Sequence, residues 1–208
     1  MEDYNTPKLH MDILKLLLKN TTELFDKNNI KYFIDGGTLL GAVRHKDIIP
    51  HDDDIDLGVL DTDWHKLHVL QDLTHITFIF NETEYQVALQ KADDCLLKVF
   101  VPNLWVKSKA NGRIVGTPTL DIFKWKRAGD IIKLSSPSQR KQFPNCYYKK
   151  IELFPLLKYK IGDVEAYGAN NPTGYLSRYY GEDCLRVVKI DKRNDDMFSK
   201  NRNAICLK

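Results

Sequence analysis

The chain holds only four cysteines, Cys95, Cys146, Cys184 and Cys206, and no two form a Cys-x-x-Cys pair. The usual zinc-ribbon spacing is therefore missing. No secretory leader is legible, so a reducing, cytoplasmic setting with free, buried thiols is the expectation. On the same ground Asn20-Thr21-Thr22 and Asn81-Glu82-Thr83 read as chance glycosylation sequons. No apolar run is long enough to cross a bilayer, so no membrane span is expected. Nor is charge of one sign concentrated. The net charge is +3 and the basic residues are dispersed, which speaks against a dedicated nucleic-acid binder. The nearest basic tract, Lys124-Trp125-Lys126-Arg127 with Lys149-Lys150 after it, reads as solvated surface or part of an anionic-substrate groove. Repeats, low-complexity tracts and linkers are also missing. One domain over residues 1–208 is expected, with its core at about 30–186 and a polar tail from Lys192. The composition, 43% hydrophobic and 28% charged, is that of an ordinary globular protein and excludes bulk disorder. Its richness in Lys, Asn, Ile and Tyr suggests an AT-rich genome, bacterial or of a large virus; a viral protein would work in the host cytoplasm.

Local patterns supply the elements. Thr6-Pro7 suits a helix start, and Leu9, Ile13, Leu16, Leu17, Leu24 and Phe25 follow at helical spacing until Asn28-Asn29. Residues 30–34 read as a buried strand, 38–44 as a short helix and 54–60 as a second strand. Trp64, Leu67, Leu70 and Leu73 line a further helix opened by Asp61 or Thr62. Strands follow at 76–80, 85–89, 96–101 and 119–125. Asn111-Gly112 and Gly162-Asp163 mark hairpin turns, residues 135–143 a loop or short helix, and Asn171-Pro172 a helix that Gly181 stops.

The chemistry concentrates in two neighbouring stretches, Asp35-Gly36-Gly37-Thr38 and Asp52-Asp53-Asp54-Ile55-Asp56. Side chains alternate along a strand, so Asp54 and Asp56 point one way and Asp53 the other; Asp52 joins the first pair if the strand begins early. Carboxylates side by side raise one another's pKa unless a cation neutralises them. Four acids in five positions, interleaved with buried-type Ile55 and Leu57, point to an oxygen-liganded Mg²⁺ or Mn²⁺. An EF-hand does not fit, because Leu57 and Asp63 stand where the loop needs Gly and Glu. Gly36-Gly37-Thr38 sits where strand gives way to helix. The glycines admit a phosphate close to the backbone, the helix start offers free N–H groups, and the Thr38 hydroxyl adds a donor. Arg44 is a candidate phosphate contact. His45 and Lys46 in the next loop either touch the donor or are solvated. His65 and His68 read as an exposed helix face, and the pairs Tyr147-Tyr148 and Tyr179-Tyr180 as packing in preference to rings that stack on a base or sugar.

Gly36-Gly37-Thr38 followed by Asp54-x-Asp56 resembles the nucleotidyltransferase superfamily. The longer run from Gly37 through Arg44 to Pro50, then His51 to Gly58, is similar to the LicD family, which includes phosphorylcholine transferases and fukutin-like proteins. Two further stretches extend the resemblance: Thr119-Leu120-Asp121-Ile122-Phe123, and the segment from Pro172 to Gly181. The resemblance implies an α/β (α+β) fold of nucleotidyltransferase type, a mixed sheet flanked by helices with a small C-terminal helical extension. It implies Asp54, Asp56 and Asp121 as metal ligands, with Asp121 also able to take a hydroxyl proton. The Gly37-Thr38 turn and Arg44 would hold a CDP-linked donor. The acceptor would be a glycan hydroxyl, as in lipopolysaccharide or glycoprotein biosynthesis, with CMP released. His51 departs from the family, where Trp is common. Two other readings stay open: a metal-dependent sugar-nucleotide glycosyltransferase, and a catalytically silent binding module of the same fold.

Overall fold

A computed structural model describes residues 5–104, 106–107, 114–115, 117–190 and 203–206. The Asn111-Gly112 turn and the chain at 191–202 lie outside them. Helix α1 (Lys8–Lys27) buries Ile13, Leu14, Leu17, Leu18 and Phe25, the stripe that spacings of three and four place on one face. Thr6 does not cap it. Its hydroxyl donates instead to the Asp52 carbonyl at 2.6 Å, which ties the helix entry to the acid loop. Strand β1 (Tyr32–Ile34) is fully buried, and α2 (Gly36–Arg44) starts at the glycine pair itself rather than after it. Strand β2 (Asp54–Leu60) follows.

Helix α3 (Asp61–Trp64) runs into a 3₁₀ helix (His65–His75). Three residues per turn stack every third side chain, and Leu67, Leu70 and Leu73 are its buried residues. Then come β3 (Thr77–Phe80), β4 (Thr83–Gln86), β5 (Ala88–Asp93), β6 (Leu96–Phe100), β7 (Val106–Lys107), β8 (Ile114–Val115), β9 (Thr119–Ala128) and β10 (Ile131–Leu134). Helix α4 (Pro137–Gln142) is capped by the Ser136 hydroxyl. Strand β11 (Tyr147–Lys149), α5 (Lys150–Leu153) and the hairpin β12 (Leu157–Ile161) with β13 (Val164–Gly168) precede α6 (Pro172–Tyr180). Gly181 ends α6 at φ 101°, a backbone state that favours glycine. Strands β14 (Val187–Ile190) and β15 (Asn203–Cys206) pair with each other.

The main sheet is mixed and has seven strands, with β9 at its centre. One edge of β9 pairs in parallel with β2. The other pairs antiparallel with β6 over its first half and with β10 beyond. Strand β1 extends the sheet beyond β2, and β11 extends it beyond β10. The β2–β9 register sets Asp56 directly opposite Asp121, and the β6–β9 register sets Lys98 opposite Asp121. Helix α1 packs against β2 and β9, while α2 packs against β2 and α6. Trp125, Phe33 and Tyr148 form the aromatic centre of the core, with ring centroids 5.4–5.6 Å apart. Gly58 interrupts β2 because a methyl there would run into the Phe33 ring.

Candidate active site

The acids of the 52–56 stretch line a cavity of about 840 Å³ together with Asp35, Gly36, Gly37, Arg44 and Asp121. Ile55 and Leu57 are fully buried on the far face of β2, so alternation does send Asp54 and Asp56 to the cavity. Asp53 departs from the expected alternation. The strand begins only at Asp54, and before it the Asp52 N–H closes a turn on the Ile49 carbonyl. Alternation therefore stops short of Asp53, which lines the same cavity. Among the described residues, the carboxylates that gather one oxygen each within 4.8 Å of one another are those of Asp52, Asp53 and Asp54. Asp54, Asp56 and Asp121 are not gathered that closely. They line one wall, joined by the Asp56–Asp121 register.

The glycine pair has a different neighbour from the one anticipated. A Cβ on Gly36 would meet Asp56 Oδ2 at 2.7 Å, and one on Gly37 would meet Asp52 Oδ2 at 2.6 Å. The groups pressed onto the start of α2 are thus the chain's own carboxylates. Gly36 adds φ +51°, strained for any other residue. The Thr38 hydroxyl is buried and accepts the Asp56 N–H at 2.8 Å, so it braces the acid strand and lies off the cavity wall. His45 and Lys46 also lie off that wall. Lys46 is exposed, and its carbonyl accepts the Gly162 N–H of the β12–β13 turn. Arg44 does line the cavity, but its Nη1 donates to the carbonyls of Cys184 and Val187 at 2.8 and 3.1 Å.

Several residues outside the expected catalytic and binding set complete the site. Asp35 is buried at the start of α2, and its Oδ1 accepts both the Tyr148 and Tyr175 hydroxyls at 2.8 and 2.7 Å. Those two rings stack at 3.9 Å. Tyr179, Tyr180, Phe123 and Phe143 add aromatic surface to the cavity. His10 is fully buried, and its Nε2 meets the Asp53 carbonyl at 2.8 Å, so α1 and the residue Thr6 ahead of it hold the acid loop at two points. Lys98 donates to Asp121 Oδ2 at 2.6 Å. One signal was available in the sequence, an isolated lysine within the apolar run Leu96-Leu97-Lys98-Val99-Phe100.

The electrostatics follow from this crowding. Burial pushes the Asp56 carboxyl well above the usual range, and the neighbouring acids Asp54, Asp35, Asp121 and Asp52 push it further. Burial likewise raises Asp35, against the pull of its two tyrosine hydroxyls, and Asp121, against that of Lys98. Asp121 Oδ1 is buried without a hydrogen-bond partner. Mutually repelling carboxylates plus an orphaned oxygen, with no nitrogen or sulfur ligand in the trio, suit a hard divalent cation such as Mg²⁺ or Mn²⁺. Among the described residues no helix is long and apolar enough to cross a membrane.

Comparison with known proteins agrees with the family resemblance. The family model described as LicD/FKTN/FKRP, nucleotidyltransferase domain, matches residues 29–171. An uncharacterized protein of Rickettsia prowazekii is 37% identical over 166 residues, 80% of this chain and 53% of that protein. The ribitol 5-phosphate transferase FKRP of Homo sapiens is 38% identical over 58 residues, 28% of this chain and 12% of that protein. The lipopolysaccharide cholinephosphotransferase LicD of Haemophilus influenzae is 34% identical over 73 residues, 35% of this chain and 24% of that protein. The chain spans about half the length of the rickettsial relatives it matches.

Proposed function

Because this chain belongs to the LicD/FKTN/FKRP nucleotidyltransferase-domain family, which includes phosphate-group transferases, we propose that it is a metal-dependent transferase of a phospho-substituent. The donor is a CDP-linked compound carrying phosphorylcholine or a sugar-alcohol phosphate, and the acceptor is a glycan hydroxyl. The observation that carries this reading is the adjacency of Asp56 and Asp121 on parallel strands, beside Asp54, in an acid-lined cavity at the start of α2. The same architecture favours a nucleotidyltransferase-type fold.

Asp54, Asp56 and Asp121 would hold Mg²⁺ or Mn²⁺, which supplies charge neutralisation for the donor diphosphate and lowers the pKa of the acceptor hydroxyl. The acceptor oxygen attacks the phosphorus that bears the transferred group. The bond from that phosphorus to the CMP oxygen breaks, and CMP leaves with the electron pair. Asp121 takes the hydroxyl proton. The aromatic wall of Phe143, Tyr179 and Tyr180 excludes water and orients the donor. Thr38, Asp35 and His10 hold the acid strand and loop in place.

Incubation with Mg²⁺ and a panel of CDP-choline, CDP-ethanolamine, CDP-ribitol and CDP-glycerol is expected to release CMP and yield a phosphodiester; a glycoside product would point to a glycosyltransferase instead. Asp54→Ala is expected to abolish metal-dependent CMP release and to leave the thermal midpoint equal or higher, because carboxylate repulsion is relieved. Retained turnover in that variant would sink the assignment.

A further inference from the structure

Asp121 lies on β9, the central strand of the main sheet. It is 8% exposed, yet its two oxygens have unlike surroundings. Oδ2 is held by the Lys98 ammonium at 2.6 Å, while Oδ1 is buried with no partner. The arrangement is built into the sheet. Lys98, Asp121 and Asp56 occupy directly opposed positions on β6, β9 and β2, so one rung across three strands reads cation, carboxylate, carboxylate. Opposed residues stand about 4.5–5.5 Å apart at Cβ and share a face, so the pairing does not depend on a mobile loop. Two carboxylates side by side repel, and a lysine on the third strand offsets one of them.

We propose that Lys98 is a positioning residue for the transfer. By holding Oδ2 it fixes the plane of the Asp121 carboxylate beside Asp56. The inference rests on the phosphotransferase reading for its kinetic consequence, although the pairing itself is independent of substrate. Lys98 also compensates Asp121 in charge.

The test uses the full chain and the variants Lys98→Met, Lys98→Arg, Asp121→Asn and the double variant Lys98→Met/Asp121→Asn. With whichever CDP-linked donor the wild type turns over, Lys98→Met is expected to lose about 10- to 100-fold in kcat, as removal of a ligand's supporting partner does, with the donor KM unchanged. Lys98→Arg is expected to restore most of that loss, because it keeps a cation on Oδ2. Thermal midpoints, which need no turnover, supply the second readout. Lys98→Met should melt lower than wild type and be raised more by Mg²⁺, since it leaves Asp121 uncompensated. The double variant should regain much of the lost midpoint.

An unchanged kcat in Lys98→Met, a loss confined to KM, or a loss that Lys98→Arg does not rescue would overturn the proposal. So would a Mg²⁺-induced shift in Lys98→Met no larger than in wild type. If the wild type itself releases no CMP, the phosphotransferase reading fails. The melting comparison then decides the Lys98–Asp121 pairing by itself.

Discussion

The Asp35 carboxylate is buried at the head of α2 and survives there because two phenol hydroxyls point at one of its oxygens. A buried charge without such donors would cost several kcal/mol, so the Tyr148–Tyr175 stack is part of the site's electrostatics as well as of the core. Tyr175→Phe removes one charge-assisted bond while keeping the ring. It is expected to cost about 1.5–3 kcal/mol, read as a lower denaturant midpoint with an unchanged slope. Sequence reasoning favoured packing for Tyr147-Tyr148 and Tyr179-Tyr180 and placed Tyr175 only within the C-terminal stretch of the family resemblance. Nothing local to any of these tyrosines indicates a carboxylate more than a hundred positions away in the chain. Lys98 did leave a trace, as the isolated lysine of an apolar run, but nothing local named Asp121 as its partner. By contrast, the inward facing of Asp54 and Asp56 was legible, because two-residue alternation with Ile55 and Leu57 is a property of the strand alone. Asp53 was misjudged because the alternation rule was carried one residue past the strand's start.

Among the elements, α5 and α6 are joined by an ion pair that sequence did not announce. Glu152 accepts the Lys149 N–H and the Arg178 guanidinium, both at 2.8 Å, and Arg178 lies over the Tyr147 ring at 4.1 Å. Burial tends to raise the Glu152 carboxyl, but Arg178 and the Lys149 N–H outweigh it and hold the group below its ordinary value of 4.5. A carboxyl depressed in the folded state stabilises above its unfolded pKa and loses that contribution as pH falls through the folded pKa. Glu152→Gln is therefore expected to cost about 1.5–3 kcal/mol at pH 7. The gap from wild type should narrow as the pH drops below about 4.5. Chemical denaturation across pH checks this, and a pH-independent gap would contradict it. The element pattern itself was largely legible. Strand β2, the β12–β13 hairpin and α6 fall where alternation, Gly162-Asp163 and Asn171-Pro172 put them. The 3₁₀ character of His65–His75 was missed, although the uniform three-residue spacing of Leu67, Leu70 and Leu73 is its signature.

At the scale of the whole molecule, Arg44 joins distant parts of the chain, from the end of α2 to the carbonyls of Cys184 and Val187. It closes the C-terminal segment over the cavity that those residues also line. Arg44→Met is expected to speed amide exchange in residues 184–187 while β2 and β9 stay protected, a local opening measurable by native-state hydrogen exchange. Equal protection in both proteins would show that the segment is held by other contacts. The sequence by itself determined the acid strand, the presence of a short helix ahead of it and the family, because each is written in contiguous residues whose periodicity and chemistry are local. Only the tertiary structure decided which groups meet: Asp56 beside Asp121 beside Lys98, Asp35 beneath two tyrosines, and Thr6 and His10 against the acid loop. Those meetings depend on sheet register and helix placement. Both are set by burying side chains from distant parts of the chain together, and no local pattern encodes them.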